Sequence, residues 1–229
     1  SELNIFDKKS RVATETKENY LKAIYFLDQK NSDISLTSLA NEMGVSKPTV
    51  NDMVKKLEVN GWLHYEKYKP LRLSEKGRKT AALILRKHRL TEMFLVKVMG
   101  FGWEEVHVIA EEIEHIDSEQ LFDRMDEILG FPIADPHGSP IPDKEGNINS
   151  LDYQLLSNIP VSTKVVLRGL RDSSKEFLMF LNNKKLQLGT EIFLHQCEPF
   201  DKSIIVSYDK FIEVQLSYSI SSRLLVELL

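Results

Sequence analysis

Apolar positions recur at helical spacing through the first 60 residues. Residues 15–29 place Tyr20, Leu21, Ile24 and Leu27 along one face, which predicts an amphipathic helix. A short second helix is expected between Ser35, a favourable N-cap, and Gly44, which ends helices readily. A third helix is expected from Ser46 to about Asn60, with a proline in its first turn.

The spacing of apolar residues changes after this third helix. Residues 62–68 are rich in aromatic side chains and alternate roughly, as in a strand, and residues 71–73 form a short return strand after the turn at Lys69-Pro70. This is the element order of a winged helix-turn-helix, which consists of a helix, a short helix, a tight turn, a further helix and a hairpin. The first 79 residues are therefore predicted to be such a unit.

Helical spacing returns over about 75–99, 103–116 and 118–129. Residues 131–160 contain five of the chain's eight prolines. This concentration of proline predicts a linker with few regular elements. Short β-like runs follow, and they predict a small β-barrel. These runs lie at residues 163–167, 177–181, 190–194, 203–207 and 211–216.

The predicted fold class is therefore mainly α with a small β domain. Residues 1–79 are expected to form a winged helix-turn-helix DNA-binding domain and residues 80–142 a helical domain. Residues 143–160 are expected to be the linker and residues 161–229 the small β-barrel.

Composition narrows the class of protein. Hydrophobic residues make up 42% and charged residues 28%, as in a globular chain. The single cysteine, Cys197, excludes an intramolecular disulfide framework and suits a reducing cytoplasm, the expected location. No apolar run approaches the roughly 18 residues that span a bilayer, so no membrane partner is expected.

Charge is unevenly distributed along the chain. Residues 1–79 carry 15 Lys and Arg against 11 Asp and Glu, whereas residues 80–160 carry 6 against 15. A mildly basic first part can approach phosphates, and an acidic middle can attract a cation. The alternative for the acidic middle is an ordinary solvated helix surface.

The third helix of the predicted winged unit is the candidate DNA-recognition helix, because the N-terminal residues of such a helix reach base edges in the major groove. Lysines that follow on its outer side and at the hairpin tip can contact phosphates. The alternative is a winged helix that binds protein. The predicted DNA-binding residues are Ser46, Lys47, Pro48, Thr49, Asn51, Lys55, Lys56, Lys67 and Lys69.

Imidazoles and carboxylates are concentrated between residues 88 and 115. His88 and Glu92 are one helical turn apart, and His107, Glu111, Glu114 and His115 share an arc of about 100° on the next predicted helix, opposite its apolar side. Imidazole and carboxylate donors without thiolate suit Mn(II), Fe(II), Co(II) or Zn(II). Spacing alone leaves a solvated polar face equally acceptable.

Taken together, these segments resemble the diphtheria-toxin-repressor family of metal-dependent transcriptional regulators over nearly the whole chain. The segments that carry the resemblance are KENYLKAIY (17–25), VSKPTV (45–50), RKHRLTE (86–92), EEIEH (111–115) and SPIP (139–142). The resemblance implies a homodimer that binds palindromic double-stranded operator DNA and represses metal-uptake genes, with residues 80–142 holding metal and forming the dimer. It implies neither an enzyme nor a small-molecule substrate.

The resemblance also implies two neighbouring metal sites. One would use Glu111, Glu114 and His115 with Asn19 of the first helix. The other would use His88, Glu92 and His107, completed by the barrel, for which Asp172 and Glu176 are the nearest acidic candidates. Without metal, Glu111 and Glu114 are expected to repel each other.

Metal identity follows from the donors at two positions. The family's iron-sensing branch has Cys at the position of Glu111 and Met at that of Asn19, whereas the manganese-sensing branch has Asp at the latter. Oxygen and nitrogen donors favour Mn(II), then Fe(II), with Co(II) or Zn(II) as substitutes in vitro.

Two rival hypotheses remain open. A metal hydrolase could use Glu114 or Glu111 as a general base, although the chain lacks the HExxH motif. A winged-helix regulator could instead sense a ligand other than a metal.

Overall fold

The computed structural model describes the backbone of residues 2–30 and 33–229, and the side chains of residues 14–30 and 33–229. The helices are α1 (Glu2–Gln29), α2 (Leu36–Met43), α3 (Lys47–Val59), α4 (Glu75–Lys97), α5 (Val106–Ile113), α6 (Glu119–Ile128), α7 (Lys175–Lys184) and α8 (Tyr218–Ser221). The strands are β1 (Leu63–His64), β2 (Arg72–Leu73), β3 (Gln154–Leu155), β4 (Thr163–Leu170), β5 (Glu191–Cys197), β6 (Ile204–Tyr208), β7 (Phe211–Leu216) and β8 (Leu224–Leu228).

The chain forms two compact units. The first contains the chain up to His88 together with Glu111–Glu119 and Pro142–Ile148. The second contains Arg89–Ala110, Gln120–Ile141 and Asn149–Leu229. Among the described residues, no helix combines the length and the apolar character needed to cross a bilayer.

The first unit is built around the apolar faces that the sequence predicts. Leu21 and Ile24 of α1, Leu39 of α2, and Val50 and Leu57 of α3 are fully buried in one core. Burying such side chains stabilises a fold by roughly 1.5–3 kcal/mol each. The core therefore fixes α3 against α1 and α2, and the predicted helix-turn-helix is confirmed.

Local capping explains why α2 and α3 are separate helices. Ser35 and Ser38 form a reciprocal capping box at the start of α2. Gly44 ends α2 in the left-handed conformation at φ 64°, and Ser46 caps α3, with its hydroxyl accepting a hydrogen bond from the Thr49 amide. Three residues thus suffice to turn the chain from α2 into α3.

The hairpin, or wing, is shorter than predicted. Only Leu63 pairs with Leu73 and His64 with Arg72, and the residues between these pairs form an irregular tip rather than the strand expected over 62–68. The hairpin packs tightly on α4 at Gly77, where an added Cβ atom would lie 1.9 Å from the Trp62 carbonyl oxygen. The base of the wing is therefore held against α4, whereas the residues of its exposed tip form no β-ladder pairs.

The second unit contains an antiparallel sheet with the strand order β3-β8-β4-β5-β6-β7. Among the described residues, no ladder joins the outer strands β3 and β7, so the predicted small β domain is confirmed but its barrel is open. The prediction of a strand over 177–181 is wrong, because these residues lie in α7. Phe177, Leu178 and Leu181 are all buried, and their spacing is that of a helix face.

Candidate metal centres and nucleic-acid interface

A fully buried carboxylate, Glu114, lies at the middle of a group of side chains in the first unit. Its Oε1 accepts a hydrogen bond from the Lys22 Nζ at 2.5 Å, and its Oε2 lies 2.6 Å from the His88 Nδ1. His115 places its Nε2 3.5 Å from the Glu114 Oε1. We call Glu18, Lys22, His88, Glu111, Glu114 and His115 the first centre.

The first centre joins three helical segments of one unit. Glu18 and Lys22 come from α1, His88 from α4, and Glu111 from α5. Glu114 and His115 follow the last residue of α5 and lie in a turn. They do not continue the helical face that the sequence predicts, and the turn directs Glu114 fully inward while Glu111 stays half exposed on the helix.

Electrostatics keep the Glu114 carboxylate charged. Burial by itself would raise the pKa of Glu114, but the hydrogen bond from His88 and the positive charge of Lys22 outweigh burial, and the pKa lies below its ordinary value. Lys22 also lies 3.9 Å from the Glu111 Oε1. The ammonium group of Lys22 therefore offsets the repulsion expected between Glu111 and Glu114.

The contact from the first helix differs from the one that the family resemblance implies. Asn19 is exposed, whereas its neighbour Glu18 places Oε2 2.6 Å from the His115 Nδ1. A carboxylate that bonds one imidazole nitrogen orients the other, and such pairs are common behind metal-binding histidines. Glu18 therefore directs the His115 Nε2 towards Glu114.

A second group of imidazoles and carboxylates lies within the second unit. Glu92 Oε1 is 3.4 Å from the His107 Nδ1, and Glu92 Oε2 is 3.7 Å from the His137 Nδ1. Glu92, Asp135 and His137 are all buried, and each offers a ligand atom within 4.8 Å of the others. We call Glu92, His107, Asp135 and His137 the second centre.

A tight loop brings Asp135 and His137 into the second centre. The Asp135 Oδ1 accepts hydrogen bonds from the amides of His137 at 2.8 Å and Ser139 at 3.0 Å. Gly138 has φ 85°, and an added Cβ atom would lie 2.2 Å from the Arg168 carbonyl oxygen of β4. Only glycine fits this position, so the loop is held against the sheet.

The ring of His137 is oriented for ligation. Its Nε2 lies 2.9 Å from the Trp103 carbonyl oxygen, to which it donates, so Nδ1 faces the carboxylates of Glu92 and Asp135. Burial by itself would lower the pKa of His137, but the two carboxylates outweigh it and the pKa is raised. Burial and the nearby charge of Glu92 raise the pKa of Asp135, although the Arg89 Nε lies 3.6 Å away.

The remaining predicted metal residues are placed as follows. His88 lies one helical turn before Glu92 on α4, and its Nδ1 contacts Glu114, so it belongs to the first centre. Asp172 bonds the Ser174 amide at 2.8 Å and lies 3.6 Å from Arg223, while Glu176 lies in the first turn of α7. Neither belongs to a cluster of potential ligands among the described residues. The sequence pattern did not predict Glu18, Asp135 or His137 as site residues.

The donors of both centres fit a divalent transition metal. Carboxylate oxygens and imidazole nitrogens are the ligands preferred by Mn(II), Fe(II) and Zn(II). Several of these side chains are buried, and hydrogen bonds to neighbouring groups already fix their orientation. A bound cation would supply a fixed link between the elements that carry its ligands.

Most of the predicted DNA-binding residues are exposed on the helix-turn-helix or on the wing tip. Ser46, Lys47, Pro48 and Thr49 are exposed at the start of α3, and Asn51 is half-buried because its Oδ1 accepts a hydrogen bond from the Tyr65 hydroxyl at 3.2 Å. On the wing tip, Lys69 pairs with Glu66 and the Lys67 ammonium lies over the Tyr68 ring.

Lys55 and Lys56 line a surface depression together with Lys17 of α1, a residue that the sequence pattern did not predict. We call Lys17, Lys55 and Lys56 the lysine group. A concentration of positive charge beside a recognition helix suits a DNA phosphate. Lys17 directly precedes Glu18, so adjacent residues of α1 belong to the lysine group and to the first centre.

Three family profiles match the chain in succession. The iron-dependent repressor N-terminal DNA-binding domain matches residues 13–71, and the iron-dependent repressor metal-binding and dimerisation domain matches residues 74–143. The FeoA domain matches residues 154–228.

Curated relatives match over part of the chain. The iron-dependent repressor IdeR of Mycobacterium tuberculosis is 40% identical over 128 residues, which cover 56% of each chain. The diphtheria toxin repressor of Corynebacterium jeikeium is 34% identical over 158 residues, which cover 69% of this chain and 62% of the relative. The chain thus spans just over half the length of the first of these relatives.

Solved structures match over nearly all of the chain. A manganese-dependent transcriptional repressor in complex with manganese superimposes with a TM-score of 0.79 at 29% identity, covering 93% of this chain and 100% of the other. The zinc-bound structure of ScaR has a TM-score of 0.72 at 32% identity, covering 93% and 99%. The metal-dependent transcriptional regulator MtsR has a TM-score of 0.67 at 34% identity, covering 93% and 98%.

Proposed function

Because this chain belongs to the diphtheria-toxin-repressor family of metal-dependent repressors, we propose that it represses transcription by binding operator DNA when a divalent cation is bound. The family consists of transcriptional repressors rather than enzymes, so the hydrolase hypothesis loses its support. The observation that carries the proposal is the first centre, where residues of α1, α4 and α5 meet around the buried carboxylate of Glu114.

The proposed ligands at the first centre are Glu111, Glu114 and His115, with Glu18 as the partner that orients His115. The side chain of Asn19, the ligand that the resemblance implies, is exposed, so Glu18 is the proposed contact from α1 to the first centre. At the second centre the proposed ligands are Glu92, His107, Asp135 and His137. His88 is also kept as a proposed metal ligand, because it lies one helical turn before Glu92 on α4.

The proposed switch is a restriction of the first helix. A cation held by Glu111, Glu114 and His115 would replace the flexible Lys22 contact and fix His115, which in turn holds the segment around Glu18. The preceding residue, Lys17, belongs to the lysine group. Restricting α1 selects one arrangement of the DNA-facing surface and so favours operator binding. The proposed dimer, formed by the metal-binding and dimerisation domain, would place two recognition helices on a palindromic site.

Manganese is the proposed physiological metal, and Fe(II) is the second candidate. The oxygen donor of Glu111 favours manganese, and a manganese-dependent repressor is among the similar structures. The IdeR relative, at 40% identity, is named as iron-dependent, which favours iron.

Fluorescence anisotropy tests the proposal. The chelator-treated protein is titrated onto a labelled DNA fragment from upstream of its own gene, without metal or with Mn(II), Fe(II) or Zn(II). Mn(II) is expected to tighten binding at least tenfold, or about 1.4 kcal/mol. Equal binding with and without every metal would mean that the regulator senses something other than a metal.

A further inference from the structure

The most unusual side chain in the first centre is a lysine. Lys22 is only 9% exposed, although lysine is rarely buried unless it is paired. Its ammonium group lies 2.5 Å from the Glu114 Oε1 and 3.9 Å from the Glu111 Oε1. The family ligands that the sequence predicts are thus already in contact with a cation that belongs to the protein.

The ammonium group contacts the oxygen atom that a metal would need. Glu114 uses Oε2 for His88 and Oε1 for Lys22, and the His115 Nε2 lies 3.5 Å from that same Oε1. The Lys22 ammonium group therefore contacts the same Glu114 oxygen atom that His115 approaches, and it also lies near Glu111. A metal ion that takes the Glu114 Oε1 as a ligand competes with the ammonium group for that atom.

Lysine is suited to leaving such a position. Its single charge sits at the end of a flexible four-carbon stem, which can carry the ammonium group to solvent while the stem stays packed. Until a metal arrives, the ion pair compensates the charge of a carboxylate that has lost its water. A buried carboxylate without a partner would be strongly destabilising.

We propose that Lys22 is a tethered counter-cation that fills the first centre in the metal-free protein and competes with the metal for Glu114. This inference rests on the proposed function, because it assumes that the first centre binds metal. Binding then exchanges one ammonium group for one divalent ion, so Lys22 raises the dissociation constant for the metal. It thereby sets the metal concentration at which the repressor responds.

The test measures metal affinity and metal-free stability in the same full-length variants. Lys22→Met keeps the length and the apolar stem but removes the charge, and Lys22→Gln is a second neutral variant. Mn(II) affinity is measured by competition with a chromophoric chelator in an Asp135→Asn background, which weakens the second centre. Both variants are expected to bind Mn(II) at least tenfold more tightly and to melt at a lower temperature when metal-free.

A matched control separates the loss of a buried charge from the loss of any lysine. Lys164 forms an ion pair with Glu191 at the same 2.5 Å, but both side chains are more than half exposed. Lys164→Met is expected to leave the Mn(II) affinity unchanged. Lys22→Arg, which keeps the charge, is expected to stay close to the parent protein.

Two further results distinguish the possible failures. If Glu114→Gln abolishes Mn(II) binding but Lys22→Met leaves the affinity unchanged or weakens it, Lys22 does not compete with the metal and only this inference is overturned. If the parent protein binds no Mn(II), or Glu114→Gln leaves its affinity unchanged, the proposed function fails at this centre and the inference fails with it.

Discussion

The two centres share imidazoles and carboxylates but balance their charges differently. In the first centre a flexible lysine contacts the buried carboxylate, and the pKa of Glu114 is lowered. Beside the second centre the cation is Arg89, whose guanidinium group also donates to the Pro140 carbonyl oxygen. The pKa of Asp135 is raised by burial and by Glu92. One centre thus has a displaceable cation and the other an anchored one.

The centres also differ in what they connect. The first joins α1 to α4 and to the end of α5, and α1 carries Lys17 of the lysine group. The second joins Glu92 of α4 to a loop that is held against the sheet at Gly138. The proposed control of DNA binding therefore belongs to the first centre, whereas the second centre links elements of its own unit.

The largest expected effect comes from removing the charge of Glu114. Glu114→Gln leaves Lys22 buried without its carboxylate, so the free energy of unfolding should fall by about 3–5 kcal/mol. Urea unfolding of the metal-free protein measures this loss. Glu191→Gln, in the exposed pair with Lys164, should cost at most about 1 kcal/mol. Similar losses in the two variants would remove the distinction between buried and exposed pairs.

The second effect concerns the helix that reaches the first centre. Glu18→Ala removes the hydrogen bond that orients His115, and loss of such a partner lowers metal affinity about 10–100-fold. Isothermal titration with Mn(II) measures the change. Asn19→Ala is the matched comparison, because Asn19 is the neighbouring, exposed residue that the family resemblance implies as a ligand. A larger loss for Asn19→Ala than for Glu18→Ala would mean that α1 rearranges when metal binds.

The third effect tests whether α1 contacts DNA. If Lys17 binds a phosphate beside Lys55 and Lys56, Lys17→Ala should weaken binding to all DNA sequences alike. The slope of log K against log salt should become shallower by about 0.9, the value for one phosphate contact. Anisotropy titrations at several salt concentrations measure this slope. A loss restricted to the operator, with an unchanged slope, would assign Lys17 to another role.

The smallest effect concerns the pH dependence of the second centre. Asp135→Asn keeps the Oδ1 acceptor for the amides of His137 and Ser139 but removes a charge that is unfavourable when folded. Because the folded pKa of Asp135 is raised, wild-type stability falls as pH rises from the ordinary aspartate pKa to the raised value. The melting temperature of the metal-free variant, measured relative to that of the metal-free wild type, should therefore rise over this pH range. The exposed Asp152→Asn variant should show no such trend.

Periodicity and capping residues in the sequence predict the DNA-binding part well. Leu39, Val50 and Leu57 have the helical spacing of a buried face, and Ser35, Gly44 and Ser46 mark where the helices begin and end. These are local signals, so one sequence is sufficient to predict them. The wing is less predictable because its two-residue ladder is set by packing on α4.

The candidate centres are less predictable because their geometry depends on turns and distant contacts. A continuous helix was expected to carry Glu114 and His115, yet α5 ends at Ile113 and the following turn makes Glu114 the most buried ligand. Asp135 and His137 lie in the proline-rich stretch that was assigned to a linker. The sequence DPHG (135–138), which contains both residues, was the available signal, since Asp, Pro and Gly favour tight turns.

The most direct test of the account is the Mn(II) affinity of the protein measured with and without operator DNA. Coupling is reciprocal, so if metal tightens DNA binding, DNA must tighten metal binding by the same factor, typically 5–150-fold. We expect this factor in the wild type and a much smaller one in Glu18→Ala, where α1 no longer orients His115. An Mn(II) affinity that is the same with and without operator DNA would contradict the claim that the first centre controls DNA binding.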